Sequence, residues 1–215
     1  MALKIQPEII ISDVVMPTMS GLEMLKKLKR NLNTSHIPIV LLTALDSNED
    51  HSAGLYSGAD AYINKPFDTE ILNATVTSLF QNRKLLQEKF NLDPESNAGN
   101  IAKNIMDQEF IKKAQAVVER HLTDFDFNVD EFSSKMNIRR TLFYHKVKNI
   151  TGQTPNDFIQ TIRLKHAAKM ILTEPSKNIS EIAYDTGFNS PRYFSQCFKN
   201  HFGVTPSVYV KEQDK

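Results

Sequence analysis

The chain has 215 residues, 40% of them hydrophobic and 24% charged, with a formal net charge of +1. That is room for one large domain or two small ones, each with enough apolar residues for a core. No run approaches the roughly 18 apolar residues of a membrane helix, no signal-peptide pattern opens the chain, and one cysteine, Cys197, allows neither a disulfide framework nor a paired-cysteine metal site. The expected compartment is the reducing cytoplasm, with no membrane contact by this chain. The Walker-type phosphate loop, the HExxH zinc pattern and the GxSxG hydrolase pattern are all missing from the sequence.

In chain order, Ile9, Ile10 and Ile11 form a short β-branched run that ends at Asp13. Residues 21–30 place Leu22, Leu25 and Leu28 at helical spacing. Residues 37–42 read as a second buried strand, 48–57 as a weak helix and 61–63 as a third short strand. From Asp68 a long helix is predicted to about Phe90, with Ile71, Leu72, Val76, Leu79, Phe80, Leu85 and Leu86 on its inner side. Leu79 and Leu86 also suit an inter-chain coiled coil. Continuous apolar strands alternating with helices point to a parallel sheet. Residues 91–106, rich in Asn, Pro, Ser and Gly, read as a linker between domains at 1–90 and 107–215.

After the linker the pattern is all helical, with helices predicted at about 107–123, 129–136, 139–149, 155–172, 179–185, 190–201 and 205–211. Asn128 and Ser190 are candidate N-caps, Pro155, Pro191 and Pro206 stand at first helical positions, and Gly152, Gly187 and Gly203 follow apolar helix ends. The half is a loose repeat of two short helix–turn–helix units joined by one long helix. Charge is uneven too: residues 1–106 hold 10 Lys+Arg against 12 Asp+Glu, a balance of −2, and residues 107–215 hold 16 against 13, a balance of +3. Residues 135–169 hold eight basic residues and one acidic one, Asp157, which suggests a polyanion partner; a solvated helical surface is the plain alternative.

Three polar residues stand at the carboxyl ends of the three predicted strands: Asp13, Thr43 and Lys65. In an open parallel sheet those ends form the ligand crevice. A carboxylate nucleophile, a hydroxyl and an ammonium together suit phosphoryl chemistry. The segments Ser12-Asp13-Val14-Val15-Met16-Pro17 with Ser20-Gly21, Leu41-Leu42-Thr43-Ala44, and Gly58-Ala59-Asp60-Ala61-Tyr62 with Asn64-Lys65-Pro66-Phe67 resemble a response-regulator receiver domain. The resemblance implies a flavodoxin-like fold of which the last three strands are encoded here. It makes Asp13 the phosphoacceptor, Thr43 the switch hydroxyl, Tyr62 the rotating aromatic and Lys65 the phosphate-sensing lysine, with a cis Lys65-Pro66 bond. It also implies Mg2+ in the intact receiver, with Asp13 as one ligand; the acidic pair that supplies the others is missing, since only Glu8 lies upstream. The expectation is therefore a piece of a longer protein. The Ile9–Ile11 strand becomes an apolar edge, which predicts self-association, as a symmetric dimer.

In a helix–turn–helix the second helix enters the major groove. With Leu142 or Phe143 and Val147 inward, the first such helix presents Arg139, Arg140, Thr141, Tyr144, His145 and Lys148. With Phe194 and Phe198 inward, the second presents Ser190, Arg192, Tyr193, Gln196 and Lys199. Arg pairs with guanine and Gln with adenine, while Lys148 and Lys199 suit phosphates. The stretch Ile179-Ser180-Glu181-Ile182-Ala183, Gly187-Phe188-Asn189-Ser190, Tyr193-Phe194, Phe202-Gly203-Val204-Thr205-Pro206 closely resembles the AraC-type DNA-binding domain, and Thr151-Gly152-Gln153-Thr154-Pro155 with Arg163-Leu164 matches in the first unit. The resemblance implies two recognition helices reading major-groove segments about 34 Å apart. Arg139 stands where that family has a small capping residue. Cys197 reads as packing, His166 and His201 as surface or cap residues, and the histidines show no metal spacing.

The combined reading is α/β plus all-α: a two-component transcriptional regulator that binds double-stranded DNA, controlled in the intact protein by a histidine kinase through aspartyl phosphorylation. It carries no enzyme activity of its own and looks like the C-terminal end of a hybrid sensor kinase. The alternatives are a dimerising DNA-binding protein indifferent to phosphorylation, an interaction module without DNA binding, and an enzyme acting through the Asp13/Thr43/Lys65 crevice.

Overall fold

The computed structural model describes residues 1–44 and 58–213, so the weak helix expected at 48–57 lies outside the described residues. The chain falls into two compact units, Met1–Leu86 with Ala102–Gln108, and Gln87–Ile101 with Glu109–Lys215. Among the described residues, no helix is long and apolar enough to cross a membrane.

The first unit contains α1 (Ala2–Ile5), β1 (Ile10–Asp13), α2 (Gly21–Lys29), β2 (Ile39–Thr43), β3 (Ala61–Asn64) and most of α3 (Thr69–Leu92). The three strands are parallel in the order β1-β2-β3. β2 is the central strand, with Ile39, Val40 and Leu41 fully buried, as the uninterrupted apolar run requires. Ile39 and Leu41 pack with Val14 and Leu25 into one cluster, against which Ile10, Leu22, Leu28 and Tyr62 lean. β1 pairs only with β2 among the described strands and leaves Ile11 43% exposed.

α2 begins with a capping box in which the Ser20 side chain accepts from the Glu23 N–H and Glu23 accepts from the Ser20 N–H. Gly21 follows because a Cβ there would overlap the carbonyl oxygen of Asp13. The far end of α2 is tied down by Lys29, which donates to the Ile37 carbonyl at 2.9 Å and pairs with Asp60 at 2.8 Å. Asp60 also accepts the Ile39 N–H at 2.9 Å, so one carboxylate aligns α2, β2 and the approach to β3.

α3 differs from expectation. Of its 24 residues only Phe90 is buried, and Ile71 and Leu85 are 56% and 63% exposed. The half-buried stripe runs through Leu72, Val76, Leu79, Phe80 and Leu86. Ile71 and Leu85 each sit one residue off it, about 100° around the helix, so apolar character alone assigned them to the wrong face.

The second unit holds the end of α3, a 3-10 turn at Ala98–Ile101, most of α4 (Ile105–Arg120), then α5 (Val129–Lys135), α6 (Arg140–Thr151), α7 (Pro155–Thr173), α8 (Ile179–Asp185), α9 (Pro191–Phe202) and α10 (Pro206–Gln213). Its helix starts are locally encoded. Asn128 caps α5, Thr154 with Asp157 and Asn178 with Glu181 form capping boxes for α7 and α8, and Ser190 caps α9 ahead of Pro191. Arg139 is the exception: it occupies the N-cap of α6 without a side-chain cap bond.

α7 is buried on nearly all sides, with Phe158, Ile162, Leu164, Ala167 and Ala168 at 0–1% exposure, because the two helix–turn–helix units pack around it. On one side Phe132 meets Phe143 edge-on at 4.6 Å. On the other, Ile182, Ala183, Phe188, Phe194, Cys197 and Phe198 close a second cluster on Leu164 and Ala168. Cys197 is thus a core residue. His201 is not a simple surface group: its ring Nε2 lies 2.7 Å from the Asn91 carbonyl, and burial, ahead of nearby Lys165, lowers its pKa.

The basic run at 135–169 also needs correction. Lys146, Arg163 and Lys165 are only 1%, 8% and 4% exposed, so three of its eight positive charges face the interior. Lys146 and Lys165 lie over the rings of Phe110 and Phe90, and Arg163 donates to the carbonyls of Gly187 and Asp124.

Candidate phosphoacceptor crevice and nucleic-acid interface

The strand register brings the first constellation together. Asp13, the last residue of β1, lies across from Leu42, and Thr43, the last of β2, lies across from Asn64. The Lys65 N–H donates to the Thr43 carbonyl at 2.6 Å. All three residues therefore share the carboxyl edge of the sheet. The Lys65 ammonium hydrogen-bonds the Asp13 carboxylate, and the Val15 N–H donates to Asp13 Oδ1 at 3.2 Å. These contacts, the Lys65 bond foremost, hold the Asp13 carboxyl below its ordinary 3.8. Both side chains keep more than a third of their surface in water, 35% for Asp13 and 37% for Lys65, so the pair adds little to stability and stays open to a ligand. Thr43 is buried, Tyr62 is half-buried beside the Leu25–Leu41 cluster, and the Lys65-Pro66 bond is cis. A solvent-facing carboxylate can present a nucleophilic oxygen, and the ammonium beside it can neutralise an incoming anion.

A divalent cation at this edge would need further oxygen ligands. Among the described residues no group of three or more His, Cys, Asp or Glu side chains gathers to hold a metal ion. The described side chains alone do not make a Mg2+ site.

In the second unit, Phe143 and Val147 of α6 are fully buried, which turns Arg139, Arg140, Thr141, Tyr144, His145 and Lys148 outward, all exposed. Phe194 and Phe198 do the same for α9, leaving Arg192, Tyr193, Gln196 and Lys199 exposed. Ser190 is half-buried, and its hydroxyl is engaged as the cap of α9 by the Tyr193 N–H at 3.4 Å. Arg140 pairs with Asp130 at 2.8 Å on the preceding helix, so its guanidinium is held at the start of α6 by an exposed partner that an anion can replace. Each exposed set combines guanidinium or ammonium with amide, imidazole or phenol, groups able to contact base edges and phosphates.

Sequence reasoning missed Gln160. Its amide donates to the Tyr193 hydroxyl and to the Cys197 sulfur, each at 3.2 Å, and so orients an exposed ring of α9 from α7. No local pattern signals this contact, which spans 33 residues.

Two family models match separate parts of the chain. Residues 2–77 match the response regulator receiver domain and residues 132–212 match a helix-turn-helix domain. A protein named histidine kinase P4, from Formosa agariphila, is 43% identical over 203 residues, 94% of this chain but 15% of that protein. The response regulator PleD of Caulobacter vibrioides is 44% identical over 88 residues, 41% of this chain and 19% of that protein. The chain thus spans less than a fifth of either relative. A crystal structure of a Chromobacterium violaceum transcriptional regulator, described as AraC-type, covers 52% of this chain and 98% of its own at 23% identity, with a TM-score of 0.48.

Proposed function

We propose that this chain, which joins response-regulator receiver sequence to an AraC-type helix-turn-helix domain, is the DNA-reading output end of a two-component transcriptional regulator. One observation supports the reading: two helix–turn–helix units flank a buried helix, and each leaves the outer face of its second helix exposed with side chains suited to contacting DNA. In this reading α6 and α9 enter successive major-groove segments. Thr141, Tyr144 and His145 face bases in one segment, and Arg192, Tyr193 and Gln196 in the other. Arg139, Arg140, Lys148, Ser190 and Lys199 hold the flanking phosphates.

Asp13 is the proposed phosphoacceptor of the whole protein, served by a histidine kinase. Lys65 would neutralise phosphoryl oxygens and Thr43 would hydrogen-bond them, with Tyr62 responding nearby. Among the described residues, Asp13 is the carboxylate proposed to contribute to a Mg2+ site. The edge of β1, with Ile11 exposed, is the proposed surface of self-association. A cytoplasmic location follows from a DNA target.

The test is selection of bound sequences from a random duplex library by the wild-type chain and by an Arg192→Ala/Gln196→Ala double variant. A motif of two blocks about one helical turn apart, degraded at one block by the variant, is expected. Affinity should fall by orders of magnitude between 50 and 200 mM salt if several phosphates are held. No enrichment at low salt would refute the DNA-reading proposal.

A further inference from the structure

The last turn of α3 and the residues after it are packed into the second unit by contacts that reach four of its helices. The Gln87 amide donates to the Ile150 carbonyl, at the C-terminal end of α6, at 2.9 Å. One turn later the Asn91 carbonyl accepts from His201, at the C-terminal end of α9, at 2.7 Å. Between them Phe90, 2% exposed, stacks on Phe158 of α7 at 6.1 Å, and its ring and carbonyl both meet the Lys165 ammonium. Lys165 also donates to the Ser96 carbonyl and hydroxyl, at 2.8 and 2.9 Å. The segment continues with Ala98 and Ile101 buried, and with the Ala98 N–H held by Gln115 of α4 at 3.1 Å.

Residues 87 and 91 are four apart, so they lie on one face of α3 one turn from each other. That face joins the ends of both recognition helices, while Phe90 anchors it to the helix between them. The local sequence accommodates it: a Cβ at Gly152 would meet the Gln87 amide oxygen at 2.8 Å, so the left-handed glycine that ends α6 also leaves room for Gln87.

We propose that residues 87–101 are a brace of the DNA-reading unit, and that Gln87, Phe90 and Lys165 with His201 are positioning residues that fix the spacing of α6 and α9. The inference rests on the proposed DNA-reading function for its consequence, but its geometry stands apart from DNA. Two major-groove segments are read together only if the recognition helices are held at a matching separation. The brace supplies a tie between their ends that α7 alone does not. Because α3 begins in the first unit, a change that twists or frays its last turn reaches both recognition helices at once.

The experiment uses the full chain with Cys197→Ser, carrying spin labels at Lys148→Cys and Lys199→Cys, one on each recognition helix. The label-to-label distance distribution is measured without DNA in this background and after adding Phe90→Ala or the milder Gln87→Ala. A broader distribution is expected for both additions, with unchanged helix content by circular dichroism. In parallel, unlabelled wild-type, Phe90→Ala and Gln87→Ala chains are titrated with two-block duplexes whose spacing is varied by single base pairs, and with an isolated block. The preference of the wild type for its best spacing should fall about fivefold in Gln87→Ala, the loss of one ordinary hydrogen bond, with affinity for the isolated block retained. An unchanged distance distribution in folded variants overturns the brace whatever the DNA results. A distribution that broadens while the wild type binds no duplex upholds the brace and refutes the DNA reading.

Discussion

The most quantitative consequence of the second unit concerns Lys165. The residue is 4% exposed, and its ammonium is bonded to the Phe90 and Ser96 carbonyls and the Ser96 hydroxyl. Burial pushes its pKa from 10.5 down to about 8, against the opposing pull of Asp93, Glu95 and Glu119. In the unfolded chain the amine keeps its ordinary value. Between pH 8 and 10.5 the unfolded state therefore holds a proton that the folded state has released, and stability rises with pH through that window. At about 1.4 kcal/mol for each pH unit, the whole gain is about 3 kcal/mol. Below pH 8 both states are charged and the burial penalty is present in full. The assay is urea unfolding of the wild type and Lys165→Met at intervals across this range. Lys165→Met strands two carbonyls and should start about 1–3 kcal/mol less stable at pH 7, so the reading is the slope and not the offset. The stability difference between wild type and variant should widen by about 3 kcal/mol from pH 8 to 10.5, other titrations cancelling between the two. A flat difference would refute the assignment of Lys165 as a buried, desolvated cation.

Other outcomes follow from single contacts. The Asp13 carboxyl, followed by carbon-detected NMR, should titrate below 3.8 and move up toward that value in Lys65→Ala; the stabilisation it contributes is present above its unfolded value and lost as pH falls through the folded one. Gly21→Ala should destabilise the first unit by more than 1 kcal/mol in thermal unfolding, because its new methyl meets the Asp13 backbone and not a movable side chain. Phe143→Ala, which removes a fully buried ring edge-on to Phe132, should cost about 3–5 kcal/mol and abolish DNA binding by loss of α6. Lys148→Ala should weaken every duplex alike and lower the salt slope by about 1, whereas Arg192→Ala should change which bases are selected.

Much of the architecture could be read from residues close together in the chain. Ser20, Asn128, Thr154, Asn178 and Ser190 each cap a helix through N–H groups two or three residues on, so their chemistry is complete within a short window. The spacing of Phe143 with Val147 and of Phe194 with Phe198 selects the inner sides of α6 and α9, and the outward sets follow from helix geometry. Asp13, Thr43 and Lys65 were legible for a similar reason, since parallel strands place their carboxyl ends along one edge.

Tertiary structure decided what no window holds. Lys146, Arg163 and Lys165 read as surface charge, and only the closure of helices around α7 made them interior, each with carbonyl or ring partners from other elements. α7 is covered on nearly every side, so it has no apolar stripe from which its environment could be inferred. Residues 91–106 carry the composition of a connecting segment, yet they include Ala98 and Ile101, both buried, and Ser96, bonded to Lys165 from 69 residues away. The tie between Asn91 and His201 spans 110 residues. Caps and periodicity are set by neighbours three or four positions apart, whereas such ties exist only after distant helices have met. Sequence therefore specified the helices, their ends and their outward faces, and packing alone determined which cations were buried and which distant residues meet the ends of α6 and α9.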